Sequence, residues 1–201
     1  MAKLYFYYSA MNAGKSTMLL QAAYNYREQG MTAVIYKPKI DSRGPTGKVV
    51  SRIGLSAEAL EFPADYDFYQ AIQLCLKSAP IDCVLVDEAQ FLSKSQVLQL
   101  TMICDHLDIP VLCYGIRTDF RGEPFEGSQY LLAWAESLIE VKTICKSGRK
   151  AIMNARNDSE GNRVLEGHQV DVGHHYESMS RREFDLPNVN VNVSKSSSDP
   201  D

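Results

Sequence analysis

Four short runs of apolar, β-forming residues punctuate the first two thirds of the chain: Leu4 to Tyr8, Ala33 to Tyr36, Cys83 to Val86 and Val111 to Tyr114. Each is too short for a helix and too continuous for a strand with one wet face, so each reads as a strand buried on both sides. Between them lie stretches of helical length, Lys15 to Gln29, Tyr69 to Lys77 and Lys94 to Leu107. A fourth helix around Gln129 to Ala135 precedes one more strand candidate, Ser137 to Lys142. Strands that alternate with helices pair in parallel through crossovers, which predicts an α/β fold with a mostly parallel sheet and helices on both faces.

The texture changes at Thr143. Short polar segments carrying Gly148, Gly161, Gly167 and Gly173 suit hairpins and loops in a small lobe, and the stretch from Asn188 to the Ser-rich end has no means of burying itself. The expected organisation is an α/β domain over 1–142, a small lobe over 143–187 and a disordered tail over 188–201. The chain has 201 residues, 45% hydrophobic and 23% charged, which suits one packed domain with an appendage. A formal charge of -4 argues against a protein that holds nucleic acid mainly by neutralising phosphates. Five scattered cysteines form no C-x-x-C pair, and neither an N-terminal leader nor an 18-residue apolar run is evident, so a reducing, cytoplasmic setting is expected.

Directly after the first strand comes Ser9-Ala10-Met11-Asn12-Ala13-Gly14-Lys15-Ser16-Thr17, followed by a helical segment. This is the strand, loop and helix setting of a phosphate loop. Its backbone N–H groups and helix N-terminus face phosphates, the Lys15 ammonium reaches the β/γ oxygens and the Ser16 hydroxyl coordinates Mg²⁺. Ser9 stands where the pattern has its first Gly, which is acceptable only if that residue keeps a negative φ. Taken alone, A-G-K-S-T is also an ordinary helix start.

The third strand ends in Asp87-Glu88-Ala89-Gln90-Phe91, placing two carboxylates at the edge where α/β sheets bind ligands. Asp87 has the place of an Mg²⁺-holding aspartate, and Glu88 can accept the proton of an attacking hydroxyl. A solvated pair at a helix start is the plainer alternative. D-E-A-Q also matches a helicase box, but such motors need a second sheet domain that this length does not supply.

Together, S-A-M-N-A-G-K-S-T, Asp41-x-Arg43, D-E-A-Q-F, V-L-C-Y-G-I-R-T-D-F-R-G-E-P-F with G-S-Q-Y-L-L-A-W, and T-I-C-K-S-G-R-K-A resemble the type II thymidine kinases, from about Ala2 to Phe184. The resemblance implies a P-loop α/β fold with a lasso-bearing lobe, and transfer of the γ-phosphate of ATP to the 5′-hydroxyl of thymidine with Glu88 as general base. It implies that Lys15, Ser16 and Asp87 serve phosphate and Mg²⁺, with Asp41 and Arg43 near the phosphates. A loop arginine such as Arg43 is equally a solvated residue. Phe91, Phe120 and Phe125 match the aromatic positions of the thymine pocket, although Phe125 also suits ordinary core.

The lasso, by the same resemblance, runs through Gln169, Val170, Asp171, Val172 and Gly173 to Tyr176. A homotetramer and feedback inhibition by dTTP are further implications of the family. So is a structural zinc, whose four ligand positions here are Cys145, Ser147, Ser180 and Glu183. Two serines and a carboxylate with one thiol do not make a structural zinc set, so no zinc is expected; a substitute from Cys145, His168, His174 and His175 would need the lasso to fold back. A nucleic-acid-stimulated P-loop ATPase and a non-catalytic nucleotide-binding module remain as competing readings.

Overall fold

Hydrophobic residues on alternate positions of the central strands divide between two separate cores, one on each face of a single sheet. In the computed structural model, which describes residues 1–41, 44–170 and 175–185, the sheet has six strands, all paired in parallel. The chain runs β1 (Leu4–Ser9), α1 (Lys15–Glu28), β2 (Ala33–Pro38), β3 (Lys48–Val50), β4 (Ser56–Glu58), β5 (Leu60–Phe62), α2 (Phe68–Cys75) and β6 (Cys83–Val86). A 3₁₀ turn (Ala89–Phe91) follows, then α3 (Lys94–Leu107), β7 (Val111–Ile116), α4 (Glu126–Trp134) and β8 (Ser137–Glu140). The sheet order is β5-β2-β6-β7-β1-β8.

Cys83 and Leu85 of β6, with Leu112 and Tyr114 of β7, face the α1 side and pack on Leu19, Leu20 and Ala23. Their neighbours Val84, Val86, Val111 and Cys113 face the opposite side, against Phe68 and Ile72 of α2, Val97, Leu100 and Ile103 of α3, and Leu131 of α4. Both faces are therefore dry, which is why these strands read as unbroken apolar runs. The expectation of helices on both faces holds, with one helix on one side and three on the other. The α1 face is completed by Val49 from the β3–β4 hairpin, which, like edge strand β5, carried no strand signal of its own. Each of these three strands is three residues long, below the length at which alternation can be seen.

Beyond β8 the chain forms β9 (Thr143–Ile144), β10 (Lys150–Ala151), β11 (Met153–Asn157), β12 (Arg163–Val164), β13 (His175–Met179) and α5 (Arg181–Phe184). β9 and β10 make a small hairpin, and β12-β11-β13 an antiparallel sheet whose β11–β13 register sets Asn154 opposite Ser178 and Arg156 opposite Tyr176. The tail expected over 188–201 lies outside the described residues.

The 3₁₀ turn after β6 is seated by two glycines. A Cβ on Gly115 would come within 2.9 Å of Gln90 Oε1, and one on Gly127 within 2.6 Å of Ala89 O and 2.7 Å of Leu92 O. The contacts at Gly127 are backbone on backbone, which has no cheap way to yield. Gly127→Ala gains about 1 kcal/mol in helix propensity yet is expected to lose about 2 kcal/mol net through overpacking. Urea denaturation measures the balance, and net stabilisation would mean that the turn yields.

Candidate active site

β1 and β6 both end at the carboxyl edge of the sheet, and the residues that follow them meet there. Ser9 is the last residue of β1 and keeps a negative φ, so its position does not need glycine. The bend is made further on, by Asn12 at φ 64° and Gly14 at φ 84°, after which α1 begins at Lys15. Lys15, only 9% exposed, donates from Nζ to Ser9 Oγ (2.7 Å) and to Ala10 O (3.0 Å). Its charge is thus held inside the loop. The Ser16 hydroxyl lies 3.1 Å from Asp87 Oδ2, joining the loop to the end of β6.

Asp87 is 6% exposed, and its pKa is raised, first by burial and then by the neighbouring Glu88 charge. The Ser16 hydroxyl, the Glu88 N–H and the Lys15 charge act in the opposite direction. Glu88 adopts a left-handed backbone, φ 47° and ψ 42°, at a cost of about 1–2 kcal/mol for a non-glycine residue. Strain of this kind collects at functional positions. The conformation turns the chain sharply out of β6, and the Glu88 carboxylate accepts a hydrogen bond from Gln90 Nε2.

A cleft of about 750 Å³ opens above this edge. Its lining includes Met11, Asn12, Ala13, Gly14, Lys15 and Ser16 of the phosphate loop, Asp87 and Glu88. Phe91, Phe120 and Phe125 line it too, together with Gln169, Val170 and Tyr176. The Phe91 and Phe125 rings meet edge to face, 5.9 Å apart at 77°. Phe125 is buried yet contributes a wall, so it belongs both to the core and to the cleft. Ser9 and Ala10 sit behind the loop as partners of Lys15. Asp41 also lines the cleft, whereas Arg43, Asp171, Val172 and Gly173 lie outside the described residues.

The phosphate loop and the three phenylalanines line one cleft, and comparison with known proteins decides the family. The family profile described as "Thymidine kinase" matches residues 2–184. Proteins named "Thymidine kinase" from Xanthomonas campestris pv. campestris and Vibrio cholerae serotype O1 are each 58% identical, over 187 and 186 residues. The alignments cover 92% of this chain and 90% and 97% of those proteins. The chain belongs to the thymidine kinase family. Membership makes it a kinase, an enzyme of the phosphotransferase class.

Several residues of this thymidine kinase family site carried no individual signal in the sequence. Gln90, 3% exposed, holds Glu88 with its amide nitrogen while its Oε1 accepts from Ile116 N–H (3.2 Å), so the carboxylate is tied to the end of β7. It was visible only as the fourth letter of D-E-A-Q. Asp119, 2% exposed, accepts from Arg121 Nη2 (2.9 Å) and Gln169 Nε2 (3.3 Å), anchoring the segment that leads to the lasso positions. Arg156 is 1% exposed, lies 3.7 Å above the Phe120 ring and donates to the carbonyls of Glu166 and His168. An arginine in a short strand ordinarily reads as a solvated residue, and nothing local announces its burial.

The four positions of the family's zinc also meet. Cys145 Sγ is 3.2 Å from Ser147 Oγ and 3.2 Å from Arg149 O, while Ser180 caps α5 by accepting from Glu183 N–H (3.3 Å) and donating to Glu183 Oε2 (2.7 Å). Hydrogen bonds from Cys145, Ser147 and Ser180 hold the Glu183 pKa down to about 2. Among the described residues no three His, Cys, Asp or Glu side chains gather as a metal-holding group. His174, part of the alternative histidine set, lies outside them.

Proposed function

We propose that this chain transfers the γ-phosphoryl group of ATP to the 5′-hydroxyl of thymidine, and more weakly of deoxyuridine, giving the 5′-monophosphate for pyrimidine salvage. The observation that carries this reading is a single cleft lined by the phosphate loop, three phenylalanines and Glu88. Loop N–H groups and the Lys15 ammonium bind the phosphates, with Ser9 and Ala10 keeping the ammonium in place beforehand. Ser16 Oγ and the Asp87 carboxylate are adjacent hard oxygen donors, a set that suits Mg²⁺ accompanying ATP. When bound, that ion would offset the charge of the phosphates.

Glu88 accepts the proton of the 5′-hydroxyl as that oxygen bonds to the γ-phosphorus and the bond from phosphorus to the β-bridging oxygen breaks, releasing ADP. Asp41 and Arg43 belong to the loop on the phosphate side. Phe91, Phe120 and Phe125 form walls of the thymine pocket, and Gln169 to Gly173 with Tyr176 serve as the lasso over it, part of a lobe spanning 143–187. By the same family reading the enzyme is a cytoplasmic homotetramer inhibited by dTTP; among the described residues no helix is long and apolar enough to cross a membrane.

The assay is paired. Purified protein with Mg²⁺ and ATP is expected to phosphorylate thymidine, deoxyuridine less well and purine nucleosides poorly. ATP bound but never transferred would favour a nucleotide-binding module, and hydrolysis that responds to added DNA or RNA instead of nucleoside would favour a nucleic-acid-stimulated ATPase.

The lobe is read as zinc-free. Cys145 pairs with Ser147 and Ser180 pairs with Glu183, and two hydroxyls, one carboxylate and one thiol are a poor donor set for structural zinc. Elemental analysis of untagged protein after dialysis against a mild chelator is expected to find well under one zinc per chain. About one retained zinc per chain would overturn this.

A further inference from the structure

One face of the β11–β13 ladder touches both the phosphate loop and the aromatic wall of the cleft. Residues two apart on a strand share a face, and cross-strand partners lie side by side. Asn154 and Arg156 on β11, opposite Ser178 and Tyr176 on β13, therefore form a block of four side chains on one surface. Its first pair grips the phosphate loop. Met11 N–H donates to Asn154 Oδ1 (2.7 Å), and Ser178 Oγ donates to Met11 O (2.6 Å), so both polar groups of this residue are taken. Asn154 is 2% exposed and Ser178 8%, so these bonds have little competition from water.

The second pair serves the aromatic wall. Tyr176 lines the cleft beside Phe120, and Arg156 covers the Phe120 ring while holding the Glu166 and His168 carbonyls. Asn154 joins the two a second time, since its Nδ2 donates to Thr118 O (3.0 Å), two residues before Phe120. About 7 Å of strand, a rise of two residues, separates the grip on Met11 from the wall of the base site.

We propose that Asn154 and Ser178 are positioning residues that couple the nucleoside seat to the phosphate loop, so that each substrate raises the affinity for the other; this rests on the thymidine kinase reading above. A nucleoside pressed against Tyr176 and Phe120 orders the ladder, and the ladder orders Met11. The second ligand then pays less of the ordering cost, and the effect is reciprocal. Asn154 lines the cleft, whereas Ser178 is not among its lining residues and acts through Met11.

Titration calorimetry tests it with the Mg²⁺ complex of the β,γ-imido analogue of ATP, with and without saturating thymidine. The native protein is expected to bind the analogue about 5-fold or more tightly with thymidine present. Ser178→Ala, which strips the Met11 carbonyl of its donor, is expected to bring that ratio to within about twofold of unity, whereas Ser178→Thr, which keeps the hydroxyl, retains it. Ser178→Cys, a weaker donor of similar size, gives the same comparison if the alanine variant does not fold. A native ratio near unity, or a native-like ratio in Ser178→Ala or Ser178→Cys, overturns the proposal. Thymidine turnover by the same native preparation is measured alongside, because its absence would instead overturn the functional reading.

Discussion

Asp87 is a carboxylate buried at the carboxyl edge of a sheet with a second carboxylate, Glu88, next to it, and that burial is the constraint around which the site is arranged. Burial and the Glu88 charge both disfavour an ionised Asp87. The opposing groups are the Ser16 hydroxyl, the Glu88 N–H and the Lys15 ammonium, two of which come from the phosphate loop. The loop and the acidic turn therefore need each other. Without Lys15 and Ser16 the acid pair has lost its compensation, and without Asp87 the start of α1 has lost its anchor to the sheet.

Glu88 has a left-handed backbone, and the two carboxylates find different partners, Asp87 the Ser16 hydroxyl and Glu88 the Gln90 amide. Holding a non-glycine residue there requires support from outside, and the turn that follows has it from Gly115 and Gly127, which let β7 and α4 approach its backbone. Gln90 completes the arrangement by receiving the Ile116 N–H. The candidate base is thus fixed by elements from three places in the chain.

What the sequence disclosed follows from how locally each feature is encoded. The strands at Leu4, Ala33, Cys83 and Val111 could be read because burial on both faces leaves them uninterrupted, and Lys94–Leu107 was expected with the bounds it has. The phosphate loop and the acidic turn were legible because their chemistry sits in consecutive residues. The β3–β4 hairpin and β5 were not, since three-residue strands gain their order from packing on α1 and on β2. Asn154, Asp119 and Arg156 escaped for a related reason: a polar side chain in a short segment looks solvated until the fold supplies distant partners at Met11, Gln169 and Phe120. Ser9 was a departure from the loop pattern that the structure explains, because β1 extends through it and the left-handed turn falls at Asn12 and Gly14.

In the proposed reaction Glu88 takes the proton, the loop holds the phosphates, and Asp87 with Ser16 holds Mg²⁺. Single-turnover rapid quench with Glu88→Gln tests it most directly, because the amide preserves size and hydrogen bonding but cannot accept a proton. The rate of phosphoryl transfer to thymidine is expected to fall about 10²- to 10⁴-fold, with affinity for Mg²⁺ and ATP nearly unchanged. A near-native transfer rate would contradict the account and shift attention to Asp41 as the acceptor.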